Sequence, residues 1–180
     1  TARYRAADSY YFSKDYKKSV FYFDAFIKDF PTDKRVQMAL FRIGASKFYL
    51  GEHPEAIRMF LKLQKYSSDP NIQSGSLFYL GRIYDSLGKT EKSLEIFERL
   101  VKNFPESEFA AYAGLAIGDA YLRAQDFMKA EGAYKVTAAK TAPLEIVQEA
   151  RFKLAELCFS RKDFVSAASY YENILGANGP

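Results

Sequence analysis

The chain has 180 residues, 48% hydrophobic and 27% charged, with a formal net charge of +4 and a pI near 9.0; that balance suits a folded core and excludes a disordered polyelectrolyte. Lysine and arginine alternate with aspartate and glutamate along the whole length, which argues against the concentrated footprint of a nucleic-acid binder. A lone cysteine, Cys158, excludes an internal disulfide and a multi-cysteine zinc site, and no run of about 18 apolar residues is present to cross a membrane as a helix.

From Thr1 onward the sequence repeats without gaps at a shift of 37 residues, giving copies at about 1–36, 37–73, 74–110, 111–147 and 148–180. A small residue recurs at Ala7, Gly44, Gly81, Gly118 and Ala155, each preceded by Ala6, Ile43, Leu80, Ile117 or Leu154. A second small position follows at Ser19, Ala56, Ser93, Ala130 and Ala167, and four residues later stands an aromatic: Phe23, Phe60, Phe97, Tyr134 and Tyr171. Three residues further come Phe26, Leu63, Leu100, Thr137 and Ile174. The spacing i, i+4, i+7 is one face of an α-helix, and the first half of each copy shows the same period.

Turn and capping residues separate the halves: Lys14-Asp15, Gly51-Glu52-His53-Pro54, Gly88-Lys89-Thr90, Gln125-Asp126 and Lys162-Asp163. Glycine supplies a left-handed helix end, Asp or Thr can cap the next helix, and Pro54 fits a first turn. Pro31, Pro70, Pro105 and Pro143 fall near the junctions between copies. Each copy is therefore helix, tight turn, helix. Two helices approach closely where one presents Gly, Ala or Ser, and an aromatic of the partner helix or of the next hairpin fills the space beside it. One hairpin cannot bury its apolar face alone, so stacked copies predict one continuous core in an elongated right-handed superhelix.

In the third copy Leu80-Gly81, Tyr84, Gly88, Ser93, Phe97, Leu100 and Pro105 resemble the tetratricopeptide (TPR) consensus, with Leu77 at the lead aromatic position and Ser93 for the usual Ala. The match extends over the whole chain. It weakens where Arg3 and Ala6 replace an apolar pair, and where Cys158 replaces the tyrosine of Tyr10, Tyr84 and Tyr121. The long period and the junctions "NFPESEFAAYAGLAIGDAYL" and "DFPTDKRVQMALFRIGASKFYLGEH" are similar to bacterial envelope TPR proteins, the outer-membrane assembly lipoprotein and the Tol-Pal coordinator among them. That resemblance implies an all-α TPR superhelix of five antiparallel hairpins acting as a periplasm-facing scaffold, anchored at the outer membrane in a longer protein, with a cytoplasmic home as the alternative. The Thr1 start fits an excised or mature piece whose targeting signal lies upstream.

The resemblance also places ligand contacts on the first helix of each hairpin. Its fifth position reads Tyr4, Phe41, Phe78, Leu115 and Phe152, and its twelfth Tyr11, Phe48, Asp85, Leu122 and Phe159. The ninth reads Asp8, Ala45, Arg82, Asp119 and Glu156. The expected partner-binding groove is thus Tyr4, Tyr11, Phe41, Phe48, Phe78, Arg82, Leu115, Leu122, Phe152 and Phe159, with Tyr49, Tyr79 and Tyr112 nearby and Arg42 and Arg123 as further charge partners. The competing expectation for any single ring is burial against neighbouring helices. Such a groove suits an amphipathic helix or extended peptide of a partner protein, and the Lys and Asn residues of the chaperone-tail carboxylate clamp are absent from the equivalent positions.

His53 reads as a capping or surface residue, Cys158 as a small hydrophobe and Glu91 with Glu95 as a solvated face. No phosphate-cradling loop, nucleophile elbow or metal-spaced histidine cluster appears. The expectation is therefore no catalysis, cofactor or metal. Two alternatives to the peptide groove remain: a homo-oligomer or homodimer stacking through the last repeat, which runs out at Gly179-Pro180, and an RNA-binding helical repeat, which would need basic ladders and strong salt dependence.

Overall fold

Five residues spaced 37 apart, Lys14, Gly51, Gly88, Gln125 and Lys162, all adopt positive φ, between 60° and 77°. Each is the left-handed residue that ends one helix and turns the chain back into the next. The sequence points to this conformation at the two glycines; at Lys14, Gln125 and Lys162 a side-chain-bearing residue takes it at the same place in the repeat. A computed structural model describes residues 1–139 and 142–176 of the chain.

Among these residues it contains ten α-helices: α1 (Ala2–Phe12), α2 (Tyr16–Asp29), α3 (Val36–Tyr49), α4 (His53–Tyr66), α5 (Pro70–Ser86), α6 (Thr90–Asn103), α7 (Glu108–Arg123), α8 (Phe127–Ala138), α9 (Leu144–Ser160) and α10 (Phe164–Gly176). Within their own units α1 pairs with α2, α3 with α4, α7 with α8 and α9 with α10 as antiparallel hairpins. The caps follow the local sequence: Asp15 accepts from the Lys18 amide at 3.2 Å, Asp126 from the Lys129 amide at 3.2 Å and Asp163 from the Ser166 amide at 3.1 Å. Pro54 lies in the first turn of α4 and Pro70 opens α5 behind an Asp69 cap. In the third copy Lys89 occupies the capping position, and Thr90 is the first residue of α6 rather than its cap.

Two compact units divide the chain, Thr1–Ser93 and Leu94–Pro180. In the first, Phe23 and Phe26 are fully buried with Ala7, Ala39 and Ile43, and Tyr4 packs edge-on against both rings at 5.4 and 5.2 Å. In the second, Ala130, Tyr134, Ala150 and Leu154 form a fully buried cluster with Leu115. The two small positions of every copy are buried.

The interlock between small and large positions closes within the hairpin. A Cβ built on Gly44 would meet the Phe60 ring at 3.0 Å, and one built on Gly118 would meet the Tyr134 ring, with Cδ1 at 2.5 Å and Cζ at 2.9 Å. Both aromatics are fully buried. Losing a ring of this kind costs about 3–5 kcal/mol, because transfer and cavity terms add. The serine that stands for alanine at the second small position of the third copy donates from Ser93 Oγ to the Gly81 carbonyl at 2.9 Å, tying the α6 start to α5.

Candidate interaction surface

Within the first unit the first helices of three consecutive hairpins, α1, α3 and α5, bring their rings into one layer. Tyr79 is its centre. Its ring stacks on Phe60 at 5.2 Å with an interplanar angle of 2°, and meets Phe41, Phe48 and Tyr49 edge-on at 5.8, 5.4 and 6.2 Å. The Tyr79 hydroxyl lies 3.3 Å from that of Tyr11, 68 residues earlier, so one hydrogen bond ties the first hairpin to the third. Burial, reinforced by the Tyr11 and Tyr49 hydroxyls, pushes the Tyr79 phenol far above its ordinary range, and it stays a neutral donor at any physiological pH.

The layer has a buried floor and an accessible top. Phe41, Phe78 and Tyr79 are buried, whereas Tyr4, Tyr11, Tyr16 and Phe48 are half-buried, Tyr49 is 50% exposed and Phe12 is 66% exposed. Tyr16 stacks on Tyr49 at 4.7 Å. Of the six groove residues expected in this unit, Phe41 and Phe78 thus lie in the buried floor against Tyr79, the ring that Phe48 and Tyr49 meet from above. Phe78 has a ring neighbour in Tyr79, directly next to it in sequence.

Two guanidinium groups lie on this layer. Arg42 sits 4.4 Å from the Tyr11 ring centroid and 4.8 Å from that of Phe12, and pairs with Asp8 at 3.5 Å. Arg82 lies 5.7 Å from the Phe48 centroid and 5.8 Å from that of Phe78. Each such stacking contributes about 0.5–1 kcal/mol at an exposed site and fixes the plane of the guanidinium. Among the described residues Arg82 makes no ion pair, so its donors face outward for a carboxylate or carbonyl.

The second unit arranges its expected contacts differently. Leu115 is buried and Leu122 half-buried, both packed into the cluster around Tyr134, while Phe152 and Phe159 are 48% and 57% exposed. Phe159 packs edge-on against the exposed Phe164 at 5.2 Å, and Phe152 against Tyr171 at 6.0 Å. Tyr112 is half-buried, and Arg123 is exposed.

Acidic groups at the ninth helix position acquire partners here that the ladder pattern alone does not show. The Tyr134 hydroxyl donates to Asp119 Oδ1 at 2.6 Å, with Lys153 Nζ 3.5 Å from the same oxygen, and the Tyr171 hydroxyl donates to Glu156. The signal was present in the sequence. The aromatic position is Tyr rather than Phe in the fourth and fifth copies, and 15 residues earlier each has an acid, Asp119 or Glu156. The fully buried Tyr134 needs an acceptor for its hydroxyl, and the half-buried Tyr171 repeats the pairing nearer the surface. In the first copy Phe23 offers none, and Asp8 turns instead to Arg42.

Cys158 is half-buried, and burial raises its thiol above the ordinary range. His53 opens α4 with its ring 5.9 Å from Phe48. Among the described residues no group of three His, Cys, Asp or Glu side chains is arranged to hold a metal ion, and no helix is long and apolar enough to cross a membrane.

Paired antiparallel helices at a fixed period, small-to-large interlocks and left-handed turns define a tetratricopeptide repeat protein, a class of protein-interaction scaffold. Residues 115–180 match the tetratricopeptide repeat family directly. Residues 1–120 match the family described as YfiO, outer membrane lipoprotein, and the chain belongs to that family. Solved structures agree on the fold. MamA from Desulfovibrio magneticus superposes with a TM-score of 0.67 at 15% identity, covering 97% of this chain and 92% of its own. A thermophilic TPR protein of Thermus thermophilus does so at 0.62 and 21% identity, with 97% and 89% covered. The protein CTR9 homolog of Arabidopsis thaliana is 27% identical over 184 residues, covering 96% of this chain but 16% of that much longer protein.

Proposed function

We propose that the chain is a non-catalytic scaffold of the bacterial cell envelope, facing the periplasm, that holds a peptide or helix of a partner protein on the aromatic layer of its first unit. The observation that carries this reading is the pairing of accessible rings with an exposed arginine: Phe12, Phe48 and Tyr49 beside a buried floor, and Arg82 5.7 Å from the Phe48 ring centroid and, among the described residues, without an ion pair. Rings already locked by their neighbours lose little entropy on binding, and arginine gives direction to a contact that ring area alone would leave loose. The envelope location rests on membership of an outer membrane lipoprotein family. Phe152 and Phe159, both exposed, extend the same chemistry to the second unit as a separate patch, while Leu115 and Leu122 belong to its core around Tyr134.

The test is site-specific photocrosslinking in cells producing the full-length protein, with a photoreactive residue at Tyr49, at Phe152 or at the exposed control Glu95. A discrete adduct from Tyr49, lost on Arg82→Glu or Phe48→Ala and absent from Glu95, is the expected result. Adducts of equal yield from all three positions, or none from Tyr49, would refute the reading. Fractionation of the same cells checks the location.

A second reading, self-association, is favoured by α10, where Val165 and Leu175 are 83% and 71% exposed. Gly179 and Pro180, at which the sequence reading placed this contact, lie outside the described residues. Light scattering across a concentration series decides it: a mass that rises above 20.5 kDa with concentration and is restored by Val165→Glu supports self-association.

A further inference from the structure

A second surface lies on α4 and on its seam with α3, lined by none of the rings described above. Along α4 the residues Arg58, Leu61, Lys62 and Lys65 recur at i, i+3, i+4 and i+7 and form one exposed stripe. Leu61 and the adjoining Tyr66 are 53% and 65% exposed. Beside the stripe opens a cavity of about 200 Å³, walled by Leu40 of α3 and Met59 and Leu63 of α4, with Arg58 and Lys62 completing its lining. Small-molecule sites run from about 300 Å³ upward, so this volume fits a single apolar side chain better than a cofactor. Methionine in the wall lets the cavity adapt to the shape of what enters.

Charge selects the kind of segment that would bring that side chain. Arg58 is held by Glu55 at 2.8 Å, but among the described residues Lys62 and Lys65 make no ion pair, and Lys65 rests over the Tyr66 ring at 5.1 Å. The stripe therefore presents two unneutralised cations beside an apolar socket. From Arg58 to Lys65 the helix rises about 10 Å, which three residues of extended chain span. The seam of the fifth hairpin is also open, with about 230 Å³ lined by Arg151, Tyr170 and Asn173, the repeat equivalents of Leu40, Met59 and Lys62, together with Leu154 and, from the end of α8, Lys135, Ala138 and Ala139. There Arg151 and Tyr170 stand where the second hairpin has Leu40 and Met59, so the two cavities do not share the same apolar walls.

We propose that the α3–α4 seam is a docking site for an acidic linear segment of a partner protein, which seats one apolar side chain in the Leu40, Met59 and Leu63 cavity and lays its carboxylates along Arg58, Lys62 and Lys65. The site is separate from the aromatic layer and stands or falls independently of it.

The probe is a short fluorescein-labelled peptide with one leucine between two pairs of glutamates, titrated with the purified chain by fluorescence polarisation. Saturable binding is expected, weakened at least about 10-fold by Lys62→Glu, at least about 5-fold when alanine replaces the peptide leucine, and markedly by 0.5 M salt. Lys102→Glu, the same charge change at an exposed residue of neither surface, leaves it unchanged. Lys62 is exposed, so its variant retains the fold, which circular dichroism verifies. Absence of saturable binding, or binding indifferent to Lys62→Glu or to the peptide leucine, would overturn the proposal. So would capture of the chain by phosphatidylglycerol vesicles through the same lysines without peptide binding, which would make the stripe a lipid contact.

Discussion

The three left-handed turn residues that are not glycine offer the sharpest test of how the repeat is built. Lys14, Gln125 and Lys162 hold φ of 64°, 60° and 62°, and all three are exposed, so replacing them by glycine removes no packing. A side-chain-bearing residue in this conformation costs about 1–2 kcal/mol. Glycine relieves that strain but loses about 0.5–1 kcal/mol through its larger freedom in the unfolded chain. The net is a gain of about 0.5–1 kcal/mol for each of Lys14→Gly, Gln125→Gly and Lys162→Gly. For a chain of this length each kcal/mol raises Tm by about 2–4 °C. Gly51→Ala and Gly88→Ala should lose a similar amount, and since nothing lies within 4 Å of a Cβ at either, the loss is purely that of the backbone. Urea unfolding followed by circular dichroism, with thermal melts alongside, measures all five. If the three glycine variants are unchanged or less stable while the two alanine variants are neutral, the strain assigned to these turns is not there.

Gly118→Ala should destabilise by about 1–3 kcal/mol, because its Cβ must displace the fully buried Tyr134 ring, and more than Gly44→Ala, whose Cβ reaches Phe60 at 3.0 Å; equal effects in denaturant titrations would contradict the same-hairpin interlock. Ser93→Ala should cost about 0.5–1.5 kcal/mol through its bond to the Gly81 carbonyl. The equivalent Ser19 hydroxyl is buried without a partner, so Ser19→Ala should gain about 1 kcal/mol, and the same titrations read the opposite signs. The caps Asp15, Asp126 and Asp163 are held below the ordinary carboxylate range by hydrogen bonds from Lys18, Lys129 and Ser166. Their folded-state pKa values are depressed, so their contribution is present above about pH 4 and fades as pH falls through the folded values. The triple Asp→Asn variant should therefore show a shallower stability loss than the parent as pH falls below about 4, read by acid titration of ellipticity.

The sequence by itself determined the ten helices, their pairing and their period, since small and aromatic residues at i, i+4 and i+7 admit one helical face and the turn residues recur in register. It also held the Tyr-for-Phe exchanges that follow Asp119 and Glu156, and at the fully buried Tyr134 a hydroxyl without an acceptor would be too costly to keep. It left open whether the small position meets a ring of its own hairpin or of the next, and the tertiary structure decided for the same hairpin at Gly44 and Gly118. It could not rank the groove rings either. Phe41 and Phe48 lie on one face of one helix, yet Phe41 is buried and Phe48 half-buried, because α5 brings Tyr79 against both and Phe60 covers Phe41 from α4. A helix face is a local property that periodicity reads. What covers that face comes from residues a whole repeat or two away, and Tyr79 meets Tyr11 only because three hairpins stack.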